Sequence, residues 1–159
     1  MSNVPDLRIR RAGPPDADAV RSLTREAYAQ WIAVIGREPL PMKADYEKAV
    51  REHEIDLLYA HDRLVALIEV FLRADHLFIE NIAVLPEHQG KGFGRHLLRH
   101  AEAKTSSAGL TELRLLTNQA FATNVRLYQS VGFRIDRTEP HFGGGTTVYM
   151  SKPLAGGES

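Results

Sequence analysis

Apolar and polar residues alternate over residues 7–12, Leu-Arg-Ile-Arg-Arg-Ala, the two-residue period of a half-buried strand. Gly13, Pro14 and Pro15 break it, and Asp16 or Asp18 is placed to cap a helix. Val20, Leu23, Ala27, Trp31 and Val34 then recur at helical spacing up to Gly36, which predicts one amphipathic helix. Pro39-Leu40-Pro41 reads as a rigid connection, and a more polar helix is expected over residues 43–52. The period then changes. Residues 55–60, 64–72 and 76–84 are rich in Ile, Leu, Val and Phe and read as three strands, most simply an antiparallel meander. His61-Asp62 and Arg73-Ala74-Asp75 suit its two turns.

Pro86 ends the third of these strands, and a glycine-rich turn leads into a helix over residues 92–108, closed by Gly109. Phe93, Leu97, Leu98 and Ala101 form its apolar stripe. A strand at 112–116, a helix at 122–131 and strands at 133–137 and 146–150 complete the pattern. The alternation of strand and helix in this half predicts an α/β layer structure, and the preceding meander makes its sheet mixed. No repeat or linker divides the chain, so one domain is expected over residues 1–154, with a flexible tail at 155–159.

Composition narrows the chemistry. Of 159 residues 43% are hydrophobic and 25% charged, enough for one core without staples. Twenty basic residues balance twenty acidic ones, so overall charge makes no case for nucleic acid or a membrane surface as partner. No cysteine is present, which removes disulfides, thiolate metal sites and a cysteine nucleophile and suits a cytoplasmic setting. The first residues lack the basic-then-apolar order of a secretory signal, and no apolar run approaches the length of a membrane span.

The segment richest in chemistry is Gln89-Gly-Lys-Gly-Phe-Gly94, between a buried strand and a helix. Residues without a β-carbon let a ligand approach the backbone. The first N–H groups of the new helix have no internal partner, and the helix dipole adds positive potential there. Such a turn can hold a phosphate, and Lys91 and Arg95 add formal charge. It is not a Walker loop, because no Gly-Lys-Ser/Thr is present, and the dinucleotide pattern fails at Arg95. Taken alone it also suits a tight strand–helix connection.

Two motifs set that turn in context. Leu85-Pro-x-x-Gln89-x-x-Gly92-x-Gly94 resembles the acyl-CoA signature of the GNAT N-acetyltransferase superfamily, Gln/Arg-x-x-Gly-x-Gly/Ala. Asn81-Ile-Ala-Val84-Leu-Pro86 resembles that family's preceding strand, and Asn124-Val-Arg-Leu-Tyr128-x-x-x-Gly132-Phe133 its second motif. The resemblance implies a splayed mixed β-sheet flanked by helices, with acetyl-CoA as co-substrate. The pantetheine arm would lie against Ile82, Ala83 and Val84, and the pyrophosphate against Gln89, Gly90, Lys91, Gly92, Phe93, Gly94 and Arg95. Asn124 would reach the pantetheine, with Thr117 and Asn118 facing the same cleft. It assigns Tyr128 as the acid that protonates the leaving thiolate, where the alternative is a core tyrosine.

Amine attack on a thioester also needs a base. Glu80, in the otherwise apolar run 77–84, is the candidate, unless it simply faces solvent. With no cysteine and no Gly-x-Ser-x-Gly elbow, direct transfer in a ternary complex is the simpler route. Tyr28, Trp31, Arg37 and Glu38 are the residues expected to meet the acceptor, although Tyr28 and Trp31 at helical spacing also read as core. The acceptor would be a small-molecule amine or a protein or peptide amine, and a homodimer is compatible with the reading. His96 and His100, four residues apart, lie off the apolar stripe and are expected in solvent, with no metal site. Two other functions fit the same glycine turn: a non-catalytic acyl-CoA-binding or regulatory module, and a nucleotide or phosphosugar binder.

Overall fold

A computed structural model describes residues 6–141 and 144–155. Its strands are β1 (Leu7–Arg11), β2 (Glu54–Ala60), β3 (Arg63–Leu72), β4 (Leu77–Val84), β5 (Glu112–Asn118), β6 (Arg134–Pro140) and β7 (Thr146–Pro153). The helices are α1 (Ala17–Tyr28), α2 (Ile32–Ile35), α3 (Tyr46–Glu52), α4 (Phe93–Ser107) and α5 (Ala122–Ser130). The strands form one mixed sheet in the order β1-β2-β3-β4-β5-β7-β6. The expected meander is present as antiparallel β2-β3-β4. Its first turn sets both His61 and Asp62 at positive φ, the twist a two-residue hairpin loop requires.

The sheet parts between β4 and β5. These strands run parallel and pair only at Leu77–Leu113, Phe78–Arg114 and Ile79–Leu115. Beyond Ile79, β4 has no strand on that side among the described residues. The separation begins at a β-bulge: Glu69 lies opposite Asn81 and Val70 opposite Ile79, so Glu80 is an extra residue in β4. Fold class and splay therefore agree with the expectation.

One core lies on each face of the sheet. Leu97, Leu98 and Ala101 of α4 pack on Ile68, Val70 and Ile79, as the apolar stripe predicts. On the other face Val20, Leu23 and Ala27 of α1 pack with Tyr46 and Val50 of α3 on Ile55, Leu57 and Leu67.

Three local expectations need correction. The first helix does not run unbroken to Gly36: a 3-10 turn, Ala29–Trp31, separates α1 from α2. The tighter winding rotates α2 off the apolar stripe, and Val34 is 56% exposed. The second helix begins at Tyr46, where the Asp45 side chain accepts from Lys48 N–H, and Leu40–Lys43 forms a separate 3-10 turn. His100 is not solvated. Its Nε2 lies 2.7 Å from Oδ2 of buried Asp56, which also accepts from Arg11 Nε at 2.8 Å, while Lys104 Nζ approaches to 3.2 Å. Their combined pull outweighs burial, which pushes a carboxyl up, and holds Asp56 well below the usual carboxylate range. Residues 156–159 of the expected tail, with Phe142 and Gly143, lie outside the described residues.

Candidate active site

The parted edge of β4 presents backbone. Leu85 N–H donates to Val65 C=O at 3.0 Å. Antiparallel ladders alternate bonded and non-bonded pairs, so Ala83–Leu67 is bonded and the N–H and C=O groups of Ile82 and Val84 turn toward the gap. Side chains already approach two of these carbonyls. The Tyr28 hydroxyl lies 3.3 Å from Ile82 O, and Gln89 Nε2 donates to Val84 O at 3.0 Å. An extended ligand in the gap would meet main-chain donors there, as an added strand would.

Two cavities open along this edge. The smaller, about 400 Å³, is bordered by Ile82, Ala83 and Val84 and ends at the glycine turn, with Gln89, Gly90, Gly92, Phe93, Gly94 and Arg95. Asn124 joins it from α5, and Lys91 is exposed in the turn but outside that lining. Gly90 and Gly92 have φ of +80° and +89°, left-handed conformations that favour glycine. Gly92 is the N-cap of α4, so this cavity ends on that helix's unpaired N–H groups. Gly94 has a different duty: a β-carbon there would meet Cδ2 of Leu127 at 2.9 Å, so its glycine allows α4 and α5 to touch. Arg95 reaches α5 by donating to Ser130 Oγ at 3.2 Å.

The larger cavity, about 550 Å³, lies on the other side of the bulge. Tyr28, Arg37, Glu80, Thr117, Asn118 and Tyr128 all border it. Thr117 and Asn118 thus face this space and not the glycine turn, and Asn118 Oδ1 accepts from Ala120 N–H at 2.9 Å. Trp31 borders only the smaller cavity, buried and 4.9 Å from the Phe121 ring. Glu38 borders neither and pairs with Arg25 at 2.9 Å. Tyr28 and Ile82 border both, so the two spaces meet at the middle of β4.

Tyr128, which borders the larger cavity only, is buried, and its hydroxyl has no hydrogen-bond partner among the described residues. Burial raises its pKa above the ordinary phenol value, so the proton stays on at neutral pH. Glu80 is open to the larger cavity, yet protein crowds its remaining sides. Desolvation and the nearby Glu69 charge push its carboxyl above the usual range, with His53 and Arg73 opposing.

Sequence reading did not single out Glu69, His53 or Tyr46. Glu69 is buried in β3, with Oε2 2.6 Å from His53 Nδ1, and both border the larger cavity. Burial raises the Glu69 carboxyl and the His53 contact opposes the rise. A carboxylate in the apolar run 64–72 was the available signal, the same one that marks Glu80. Tyr46 donates to Pro41 O at 2.7 Å, and Tyr28 donates to Asn81 Oδ1 at 2.9 Å. Among the described residues no group of His, Asp and Glu is placed to hold a metal ion, and no helix is long and apolar enough to cross a membrane.

Known proteins share this fold. The ribosomal protein bS18-alanine N-acetyltransferase of Salmonella typhimurium is 36% identical over 48% of this chain, and the match spans only about half of that relative, 51%. The spermidine N(1)-acetyltransferase of Thermoplasma acidophilum is 24% identical over 84% of this chain and 91% of its own. Among solved structures, the PaiA N-acetyltransferase of Thermoplasma acidophilum in complex with coenzyme A superposes with a TM-score of 0.79 at 21% identity, over 97% of this chain and 100% of that one. The profile of the acetyltransferase (GNAT) family matches residues 18–133, from α1 through the parted strands to the end of the second motif, and the chain belongs to that family.

Proposed function

We propose that this protein is an N-acetyltransferase that moves the acetyl group of acetyl-CoA to a primary amine by direct attack. The observation that carries the reading is the junction at Ile82, where a backbone-lined groove ending on a helix N-terminus meets a second cavity beside a buried, protonated tyrosine. The groove fits the long, strand-like pantetheine arm, and the left-handed Gly90 and Gly92 leave the pyrophosphate end open to main-chain N–H groups. The larger cavity receives the acceptor.

The amine must lose a proton before it attacks, because a free alkylamine has a pKa of about 10.4. Glu80, with its raised pKa, takes that proton directly or through water. The amine nitrogen then bonds to the thioester carbon, the N–H groups along β4 stabilise the oxyanion, the carbon–sulfur bond breaks, and the nitrogen sheds its second proton, which restores the one Tyr128 gives up. Tyr128 gives its proton to the departing sulfur. Relatives named for a ribosomal-protein alanine and for spermidine support an amine acceptor without choosing one.

A melting assay followed by an amine screen tests this. Acetyl-CoA at a hundred times its dissociation constant adds about 2.7 kcal/mol of stability. ATP or NAD, which lack pantetheine, add much less, and coenzyme A is released when the right amine is present. A shift with ATP as large as with acetyl-CoA would overturn the reading. Tight acetyl-CoA binding with no turnover on any amine would instead make the protein a binding module.

A further inference from the structure

We infer that the acceptor carries a carboxylate beside its amine, as an amino acid does, and that Arg37 binds it. This rests on the larger cavity being the acceptor site. Arg37 follows the left-handed Gly36 that ends α2, is half-buried, and faces that cavity. The side chain it meets is not an anion: Nη2 lies 3.4 Å from His141 Nδ1. Among the described residues Arg37 has no carboxylate partner.

The neighbouring charges are already committed or lie at the rim. Glu38, the acid next to Arg37, is held by Arg25, which also donates to Met42 O at 2.8 Å and so pins the loop. Asp45 caps α3 through Lys48 N–H. Glu69 is bound to His53. Lys48 and Glu52 are exposed at the edge. Among the described residues, Arg37, Lys48, Glu52 and Glu80 border the cavity without an ion-pair partner; Arg37 is half-buried and the other three are exposed. A half-buried guanidinium left without an anion forgoes the interaction its planar fork is built for. An amine bound toward Glu80 and a carboxylate bound toward Arg37 complete both.

The test compares each common L-amino acid with its carboxamide, which keeps the α-amine and removes the negative charge, and adds spermidine and simple diamines. Turnover is followed by coenzyme A release. Binding to the protein loaded with coenzyme A is followed separately by calorimetry, in wild type, Arg37→Met and Arg37→Lys. The expected result is an acid-over-amide preference in kcat/KM of about 10- to 100-fold, the worth of a charge-assisted pair. That ratio collapses toward one in Arg37→Met and is partly kept in Arg37→Lys. Equal use of amides, or a ratio that Arg37→Met leaves unchanged, overturns the inference. Turnover of diamines with amino acids inert also overturns it, and leaves the transfer reading intact. Arg37-dependent binding of amino acids with no turnover of any amine supports the carboxylate site and removes the transfer reading instead.

Discussion

A β-carbon added to Gly94 would stand 2.9 Å from Cδ2 of Leu127. The third glycine of the motif therefore serves helix packing, whereas Gly90 and Gly92 serve backbone conformation. Substitutions at the two kinds of glycine should fail differently. Gly94→Val overpacks the α4–α5 contact and costs about 1–3 kcal/mol in urea denaturation. Trimming the partner with Leu127→Ala should recover part of that loss. Gly92→Val meets no neighbouring atom but is strained at φ +89°, and it alters the N-cap next to the proposed pyrophosphate site. Its main effect is expected in acetyl-CoA affinity, and Leu127→Ala should not rescue it. Rescue of both variants by Leu127→Ala would show that packing alone explains the motif.

Tyr128→Phe removes one hydroxyl with no hydrogen-bond partner among the described residues, so the fold should lose little. If that hydroxyl protonates the thiolate, kcat falls by roughly 10²–10⁴ while KM for acetyl-CoA changes little. Glu80→Gln acts on the other proton. Because the Glu80 carboxyl is raised above its usual range, wild-type activity should climb with pH through that raised value as the base becomes ionised. The Glu80→Gln defect should widen as pH rises through that value and shrink again at high pH, where more of the amine is already neutral, and no such rescue is expected for Tyr128→Phe. Full turnover by Tyr128→Phe would reduce the tyrosine to packing.

Asp56 ties β1, β2 and α4 together through Arg11, His100 and Lys104. Its folded pKa lies below the unfolded value of about 3.9. A depressed carboxyl contributes stability that is fully present above the unfolded pKa and is lost as pH falls through the folded one. Asp56→Asn should therefore cost about 1–3 kcal/mol at pH 7. The gap between variant and wild type should narrow below about pH 4. Urea denaturation across that range measures it, and a gap that stays constant down to about pH 2 would assign the loss to shape and not to charge.

Signals carried by neighbours in the chain were legible. The stripe Phe93, Leu97, Leu98 and Ala101 is buried as its spacing predicts, and the meander arises from its apolar runs and turn residues. Signals that need the third dimension were not. His100 meets Asp56 across 44 positions, and His53 meets Glu69 across 16, so no local pattern announces either pair. The 3-10 turn at Ala29–Trp31 contains no glycine or proline to mark it. The bulge at Glu80 is a matter of register between two strands, and one strand read alone cannot disclose it. The same limit explains Thr117 and Asn118, which were expected just past a strand at 112–116 but lie within β5, and whose facing cavity depended on where the sheet parts.

That parting makes part of the site independent of side-chain identity. Ile82 and Val84 meet the gap through peptide groups that every residue except proline possesses. Alanine scanning along β4 would leave those donors in place and undercount what the strand contributes. Chemical edits to the backbone itself, such as replacing a single amide by an ester, are the changes that reach it. Sequence drift at these positions is free to retune packing against β3 while the groove keeps the same row of donors, so the specificity of the chain can diverge on one side of Ile82 without disturbing the other.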